Sequence, residues 1–438
     1  MFVWVQALAG GGPVLYGEGA VAHAAAILAR GGDPYGPERP GAFVAANYPP
    51  LAFAVGATGE SVGPFFALRL TSIVATLGIA IAIVRRGGRP LQAVALGAAF
   101  IALFPVEVWG PAHKPDPLAL ALTAAAVLAA AASWPRAAIA GASAVLALAA
   151  KPTSALPLAV VFVYLLLRET RVALRSGTAA VVAALVVGGV SLARFDAAGM
   201  VEHVVRRNAL AIDVGQLPSL LLVALLSLGA FAVAGAFTPD RRIRAYIAGA
   251  ALVVLLGARE GATINYLLDL GAASSLGLAT MARRATSALL PLALTAQVLI
   301  GAALFRPLDA AATVGAWGDP ARVAAAADLA RTSPHLVEDS GVLVANGIDP
   351  VIDDLFLWSR LVAAGARVDD LTARVRAGGE FATVIAEVPL ELLDAAPGFE
   401  RQRWWPELVR AVLDGYQLES ARPHSYRYGT RRVIVAGD

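Results

Sequence analysis

The chemistry in this sequence begins with a glutamate set between two glycines. Glu18 stands in Tyr16-Gly17-Glu18-Gly19, where the glycines permit close approach of a ligand. A carboxylate so placed can draw the proton from an acceptor hydroxyl. A solvated loop acid, or an N-terminal charge on a helix over Ala20–Leu28, also accounts for it. Of the 35 basic residues only Lys114 and Lys151 are lysine, and both fall at helix ends predicted to lie on one side. A compact ammonium suits a phosphate that must be bound and then released, although Lys151 at a helix end would also snorkel. His113-Lys114-Pro115-Asp116 leads into a helix at Asp116-Pro117, where capping alone explains the aspartate. Glu202, His203, Arg206, Arg207 and Asn208 crowd one connection. They fit an anionic partner, or an interfacial amphipathic helix over Ala197–Leu210 meeting lipid head groups. Arg259 and Glu260 precede Asn265, Tyr266 and Asp269. Asp269, like Glu107, lies in an apolar run and must face a bundle interior or a wet cavity. His23 and His113 have no metal-ligand spacing around them. They read as structural or substrate-contacting, and no metal site is predicted.

The elements that must position these groups are membrane helices. In 438 residues, 58% are hydrophobic and only 15% charged. That composition excludes a soluble enzyme and a disordered chain, and the absence of cysteine excludes a disulfide-knit module. A formal charge of +3 implies no nucleic-acid surface. The preference for Arg over Lys, with much Ala, Gly and Val, suits a GC-rich bacterial genome.

Ten apolar runs read as membrane spans, several of them short against the roughly 20 residues that a bilayer takes: Gly63–Val84, Leu91–Trp109, Asp116–Ser133, Ala137–Ala150, Thr153–Leu167, Gly177–Phe195, Leu217–Phe237, Ile243–Gly257, Ile264–Met281 and Ser287–Phe305. Alternate loops hold Arg85, Arg86 and Arg89; Arg136; Arg168, Arg171 and Arg175; Arg241, Arg242 and Arg244; Arg283 and Arg284. By the positive-inside rule these loops face the cytoplasm. The other connections, with the lysines and most of the conspicuous polar residues, face outward. Met1–Ala9 is apolar but too short to span and has no basic flank, so it is expected to be a truncated first helix. Pro49–Thr58 is expected to be a re-entrant or interfacial helix.

From Arg306 the charge rises and short strands are expected at Leu336–Glu338, Val342–Ala345, Thr383–Val388, Tyr416–Glu419 and Arg431–Ala436. Helices are expected at Leu355–Ala364, Leu371–Ala377 and Trp405–Asp414. The expected fold is therefore a mainly α, polytopic bundle of 10–11 membrane helices over residues 1–305. A small external α/β domain follows over 306–438.

The layout resembles the GT-C superfamily of membrane glycosyltransferases, above all bacterial mannosyltransferase-like members. The resemblance rests on Tyr16-Gly17-Glu18-Gly19, Gly32-Asp33-Pro34-Tyr35 and Asn47-Tyr48-Pro49-Pro50-Leu51. Further matches are Trp109-Gly110-Pro111, Lys114-Pro115-Asp116-Pro117, Ala150-Lys151-Pro152-Thr153 and Gly261-Ala262-Thr263-Ile264-Asn265-Tyr266. In the tail, Glu338-Asp339, Asp349-Pro350, Trp405 and Tyr416 also fit.

The resemblance implies a transferase that moves a sugar from a polyprenyl-phosphate carrier to an acceptor hydroxyl, usually with inversion. The acceptor would be a glycan, lipid or protein at the outer face of the bacterial inner membrane. Glu18 matches the catalytic carboxylate, where many relatives carry Asp. Lys114 and Lys151 match positions near the carrier phosphate, and Asn47 and Tyr48 the cleft lining. Asp33, Tyr35, His113, Asp116, His203, Arg206, Arg259, Asn265 and Tyr266 complete the candidate substrate contacts. No cofactor is called for; a divalent cation, Mg or Mn, is compatible with the chemistry, but the carboxylates are too dispersed to place one. The competing readings are a transporter or lipid flippase, which needs polar groups at mid-membrane and often repeat symmetry, and a scaffold whose tail binds a partner.

Overall fold

The computed structural model describes residues 2–282, 289–305, 334–396, 398–422 and 425–430. The apolar sequence folds into α1 (Phe2–Ala9), α2 (Glu18–Ala29), α3 (Pro50–Ala57), α4 (Phe66–Arg86), α5 (Pro90–Ile101), α6 (Phe104–Trp109), α7 (Asp116–Ala129) and α8 (Trp134–Ala150). It continues with α9 (Ala155–Arg168), α10 (Thr170–Arg194), α11 (Ala197–Val201), α12 (Leu217–Ala236), α13 (Arg241–Leu255), α14 (Leu268–Ala282) and α15 (Leu289–Phe305). The ten expected spans coincide with α4, the broken pair α5 and α6, α7–α10 and α12–α15. The break follows from local chemistry: Leu103 is extended and Pro105 sits in the first turn of α6, where its missing N–H costs nothing. The same first-turn proline starts α5, α7, α8 and α12.

Phe66–Arg86, Thr170–Arg194 and Val214–Ala236 are long and apolar enough to cross a membrane. Helix α10 exposes Leu174, Val181, Val182, Leu185, Val186, Val190 and Leu192. In water such a surface would drive association; in hydrocarbon it is at home. The chain is a membrane protein.

Ion pairs and caps sort the loops into two ends. At one end Arg86 pairs with Asp240 at 2.5 Å, and Arg242 bonds Glu169 through Nε at 2.8 Å and also reaches the Ala130 carbonyl. The connections richest in arginine thus meet one another, as alternation along the sequence requires; Arg283 and Arg284 lie outside the described residues. At the opposite end α1, α2, α3 and the remaining connections gather under the tail. Helix α1 lies against α4 and α5, with Ile73, Leu77 and Ile101 packed on a cluster of Trp4, Ala7 and Val14 and the Trp4 indole N–H donating to the Glu107 carbonyl at 2.9 Å.

The tail is a four-stranded sheet of β1 (His335–Val337), β2 (Thr383–Ala386), β3 (Tyr416–Arg422) and β4 (Ser425–Thr430), in the order β1-β2-β4-β3. Strands β1 and β2 run parallel, and β4 pairs antiparallel with β2 and β3. Helices α16 (Gly341–Val344), α17 (Leu355–Ala363), α18 (Asp370–Ala377), α19 (Gly398–Gln402) and α20 (Pro406–Gly415) complete it. The tail's core takes in Ala20, Phe43 and Ala45 from the beginning of the chain, and Phe43 bridges Ile352.

Two local expectations change. Val342–Ala345, expected as a strand, is helix α16, because the Asp339 carboxylate accepts the Gly341 N–H at 3.1 Å and starts a turn that overrides the β-branched run. Ala197–Leu210, for which one amphipathic helix is the alternative to an anion-binding cluster, is α11 plus a single π turn over Glu202–Arg206. The expected strand Arg431–Ala436 lies outside the described residues.

Helix α16 rests directly on α2: a Cβ built at Gly19 would stand 2.1 Å from the Gly341 backbone nitrogen. Gly19→Val is therefore expected to push the tail off α2, costing about 1–3 kcal/mol of stability as an overpacked contact. A lowered thermal midpoint in detergent, with faster proteolysis of the tail, is the expected reading.

Candidate active site

The tail-side end of α6, the connections that enter α9 and α14 and the start of α17 enclose a cavity of about 390 Å³. Its walls carry four cations, Lys114, Lys151, Arg259 and Arg403, and among the described lining residues two carboxylates, Glu260 and Asp354. Tyr16, Asn47, Tyr48, Asn265, Tyr266 and Trp109 supply hydroxyl, amide and ring surface. Tyr16 and Tyr48 are half-buried, and desolvation pushes both phenols well above their ordinary range, so both remain donors.

Each cation is held in a different way. The Lys151 ammonium is bonded to Asp116 and sits 4.9 Å from the Tyr266 ring centroid. Asp116 also accepts the Asn265 amide at 2.8 Å. Asp116 is the first helical residue of α7 and caps nothing; its carboxylate ties three connections together beneath the cavity. Arg259 donates to the Asn208 carbonyl at 3.0 Å and the Tyr266 hydroxyl at 2.9 Å. Arg403 lies 4.1 Å from the Tyr16 ring centroid and pairs with buried Glu338 at 3.0 Å and with Glu387.

Lys114 is unlike these three. Its ammonium lies where a Cβ on Gly17 would come within 2.7 Å, and Gly17 has φ +76, a conformation that favours glycine; a side chain there would also displace the ammonium. No hydrogen bond or ion pair holds the ammonium among the described residues. Burial pushes its pKa below the usual lysine range, against the opposing pull of Asp354, Glu18, Asp116 and Asp339.

Glu18 does not line the cavity. It is wholly buried and its oxygens are occupied: Oε2 accepts the Val14 N–H at 2.8 Å and the Arg69 guanidinium at 2.5 Å, and Oε1 the His113 N–H at 2.6 Å. Burial pushes the carboxyl up, but Arg69 and His113 outweigh it and hold the group below its ordinary range. Arg69 itself is fully buried inside α4 and also donates to the carbonyls of Ala7, Gly10 and Gly12. The pair therefore braces the turn that carries Lys114.

The other candidates divide between cavity and scaffold. Asn47 and Tyr48 follow Ala46, a buried residue held at φ +37, a strained conformation for a residue with a Cβ. Asp33 accepts the Tyr35 and Asp196 amides at 2.9 and 2.6 Å. Tyr35 packs edge-on against Phe195 and His203 and donates to the Tyr48 carbonyl at 2.6 Å. His203 contacts the Ala45 carbonyl at 2.9 Å. His113 contacts the Phe65 carbonyl at 3.0 Å, and burial lowers its pKa to about 4, so the ring is neutral. Arg206 is exposed and pairs with Glu202 at 3.5 Å, while Arg207 is engaged by Glu38 at 2.7 Å. Of these only Asn47 and Tyr48 line the cavity, as do Arg259, Asn265 and Tyr266. No three His, Asp or Glu side chains converge as a metal site among the described residues.

Sequence reasoning did not single out Asp354, Arg403 or Arg69. Arg69 was visible as a charge inside an apolar run, and Asp354 as an acid opening the apolar run Leu355–Leu357 in helix-cap position.

No protein-family model and no curated protein matches the chain. Its structure is similar along its whole length to crystal structures of ArnT from Cupriavidus metallidurans. The structure bound to undecaprenyl phosphate superposes with a TM-score of 0.59 at 14% identity, covering 100% of this chain and 97% of that one. The apo structure gives 0.60 at 15% identity, covering 97% and 95%. The chain has the GT-C fold. The coverage takes in the tail as well as the bundle.

Proposed function

We propose that the protein is a glycosyltransferase that moves a sugar from a polyprenyl-phosphate carrier to a hydroxyl of a cell-envelope glycan, lipid or protein. The observation that carries this reading is a cavity with four cations at one end of a GT-C bundle, one of them, Lys114, held by no hydrogen bond or ion pair among the described residues. A similar fold is known with undecaprenyl phosphate bound. By the positive-inside rule the cavity end faces away from the cytoplasm, in a bacterial inner membrane.

The chemistry follows from the charges. The acceptor oxygen attacks the anomeric carbon while the bond from that carbon to the phosphate oxygen breaks, with inversion. The leaving group is a phosphate monoester, a stable anion, so cations fixed where its charge grows lower the barrier without a general acid. Lys114 meets the phosphate directly, with Lys151 and Arg259 adding to the field. The tyrosines and Asn47 present donors to sugar hydroxyls. Glu18, matched by resemblance to the catalytic carboxylate, acts by fixing the turn that carries Lys114.

Membrane vesicles containing the protein, given a panel of radiolabelled polyprenyl-phosphate sugars and envelope acceptor extract, test this. Consumption of one donor with label entering acceptor is the expected result. Counterflow of a solute without label transfer would favour a transporter instead.

A further inference from the structure

We propose that Asp354, supplied by the tail, is the base that takes the acceptor's proton. The assignment rests on the glycosyltransferase reading above and concerns the one role that reading leaves open.

An inverting transfer needs a carboxylate in the same space as the acceptor hydroxyl. Of the two that line the cavity among the described residues, Glu260 faces Arg360 at 3.5 Å. Asp354 has a different arrangement. Its Oδ1 is fixed by the Tyr16 hydroxyl at 3.1 Å and the Leu357 N–H at 3.0 Å. Its Oδ2 accepts no hydrogen bond among the described residues. One oxygen thus sets the plane of the carboxylate and the other is left for a ligand proton.

The residues around Asp354 hold it in place. Adjacent Asp353 accepts the Ala45 N–H at 2.8 Å and contacts the His23 ring at 3.0 Å, and its carbonyl accepts the Ser340 hydroxyl at 2.6 Å. These bonds moor the start of α17 to α2 and to the segment before Asn47. Tyr16 is itself covered by Arg403. The tail is thereby part of the site, since it closes the cavity and contributes the reacting carboxylate.

In the step, the acceptor O–H proton passes to Asp354 Oδ2 as the oxygen's electron pair forms the new bond to the anomeric carbon. The electron pair of the old bond leaves with the polyprenyl phosphate. Asp354 then returns the proton to water. Burial raises the carboxyl above its ordinary range, helped by Asp353 and opposed by the Leu357 N–H, Lys114 and Tyr16; a raised carboxyl is a stronger base. Because the base works ionised, kcat falls as pH drops through this raised pKa, earlier on the acid side than for an ordinary carboxylate.

The test uses full-length protein in vesicles with the donor panel and acceptor extract. Asp354→Asn keeps an oxygen for Tyr16 and Leu357 but cannot take a proton. The expected loss is about 10²–10⁴-fold in kcat, with KM for the donor changed little and the acid limb missing from the residual rate. Wild-type turnover in Asp354→Asn overturns the assignment and leaves the glycosyltransferase reading intact. So does an acid limb that survives in Asp354→Asn but disappears in Glu260→Gln. Wild-type protein that neither consumes any donor nor binds polyprenyl phosphate overturns both.

Discussion

Replacing Lys114 by alanine is expected to lower sugar transfer by about 10²–10³-fold, the usual cost of removing one preorganised donor from a developing anion. The cavity's other cations are each engaged: Lys151 by Asp116, Arg259 by Tyr266, Arg403 by Glu338 and Glu387. Lys114 makes no hydrogen bond or ion pair among the described residues, so removing it breaks none, and the variant is expected to fold. The same geometry gives a pH signature. Burial places its pKa below that of an ordinary lysine, so the ammonium, and donor affinity with it, is lost as pH rises through that lowered value. Lys114→Arg keeps the charge to far higher pH. It is expected to abolish this alkaline fall while transferring more slowly than wild type, since a guanidinium is bulkier than the space beside Gly17. Transfer rates across the pH range for the three proteins check it. Alanine at wild-type rate would remove Lys114 from the phosphate site.

The helices were legible because hydrocarbon leaves the chain little choice. Every backbone polar group must be bonded within its own segment, so an apolar run of sufficient length is a helix, and arginine in alternate loops sorts the two ends. The tail was harder because short strands and short helices share the same apolar runs. Val342–Val344 reads as strand by composition and is helical only because Asp339 starts the turn. The site divided in the same way. Lys114, Lys151, Asn47, Tyr48, Arg259, Asn265 and Tyr266 stood at helix ends, where a membrane enzyme keeps its polar groups, and they line one cavity. Which acid joins them was not legible, since Glu18 and Asp354 are both acids at a helix start. What separates them is whether their oxygens are already engaged, and that depends on Arg69, 51 residues from Glu18, and on Tyr16, 338 residues from Asp354. Period and composition carry no information over such separations.

The sharpest consequence of that distinction concerns stability. Glu18→Ala is expected to destabilise the protein by about 3–5 kcal/mol, because it leaves the buried Arg69 guanidinium without its counter-charge. It also orphans the Val14 and His113 amides. Arg69→Met should cost a similar amount by stranding Glu18. The double variant Glu18→Ala with Arg69→Met should recover a large part of the loss, as residues in one buried network are strongly non-additive. Thermal midpoints of the four proteins in detergent close this cycle. The acid side has a defined sign: Arg69 and His113 hold the Glu18 carboxyl below its ordinary range. Its contribution is therefore complete above the unfolded carboxylate pKa and is lost as pH falls through the lower folded value. Activity separates the roles. Glu18→Gln that remains folded misplaces the turn carrying Lys114 and is expected to slow transfer by up to about 10²-fold, the scale of a small positional error. It should nevertheless keep the acid limb, because the proton goes elsewhere. A folded Glu18→Gln protein whose residual rate no longer depends on acidity would return the base to Glu18 and make the contacts with Arg69 a resting state that substrate must open.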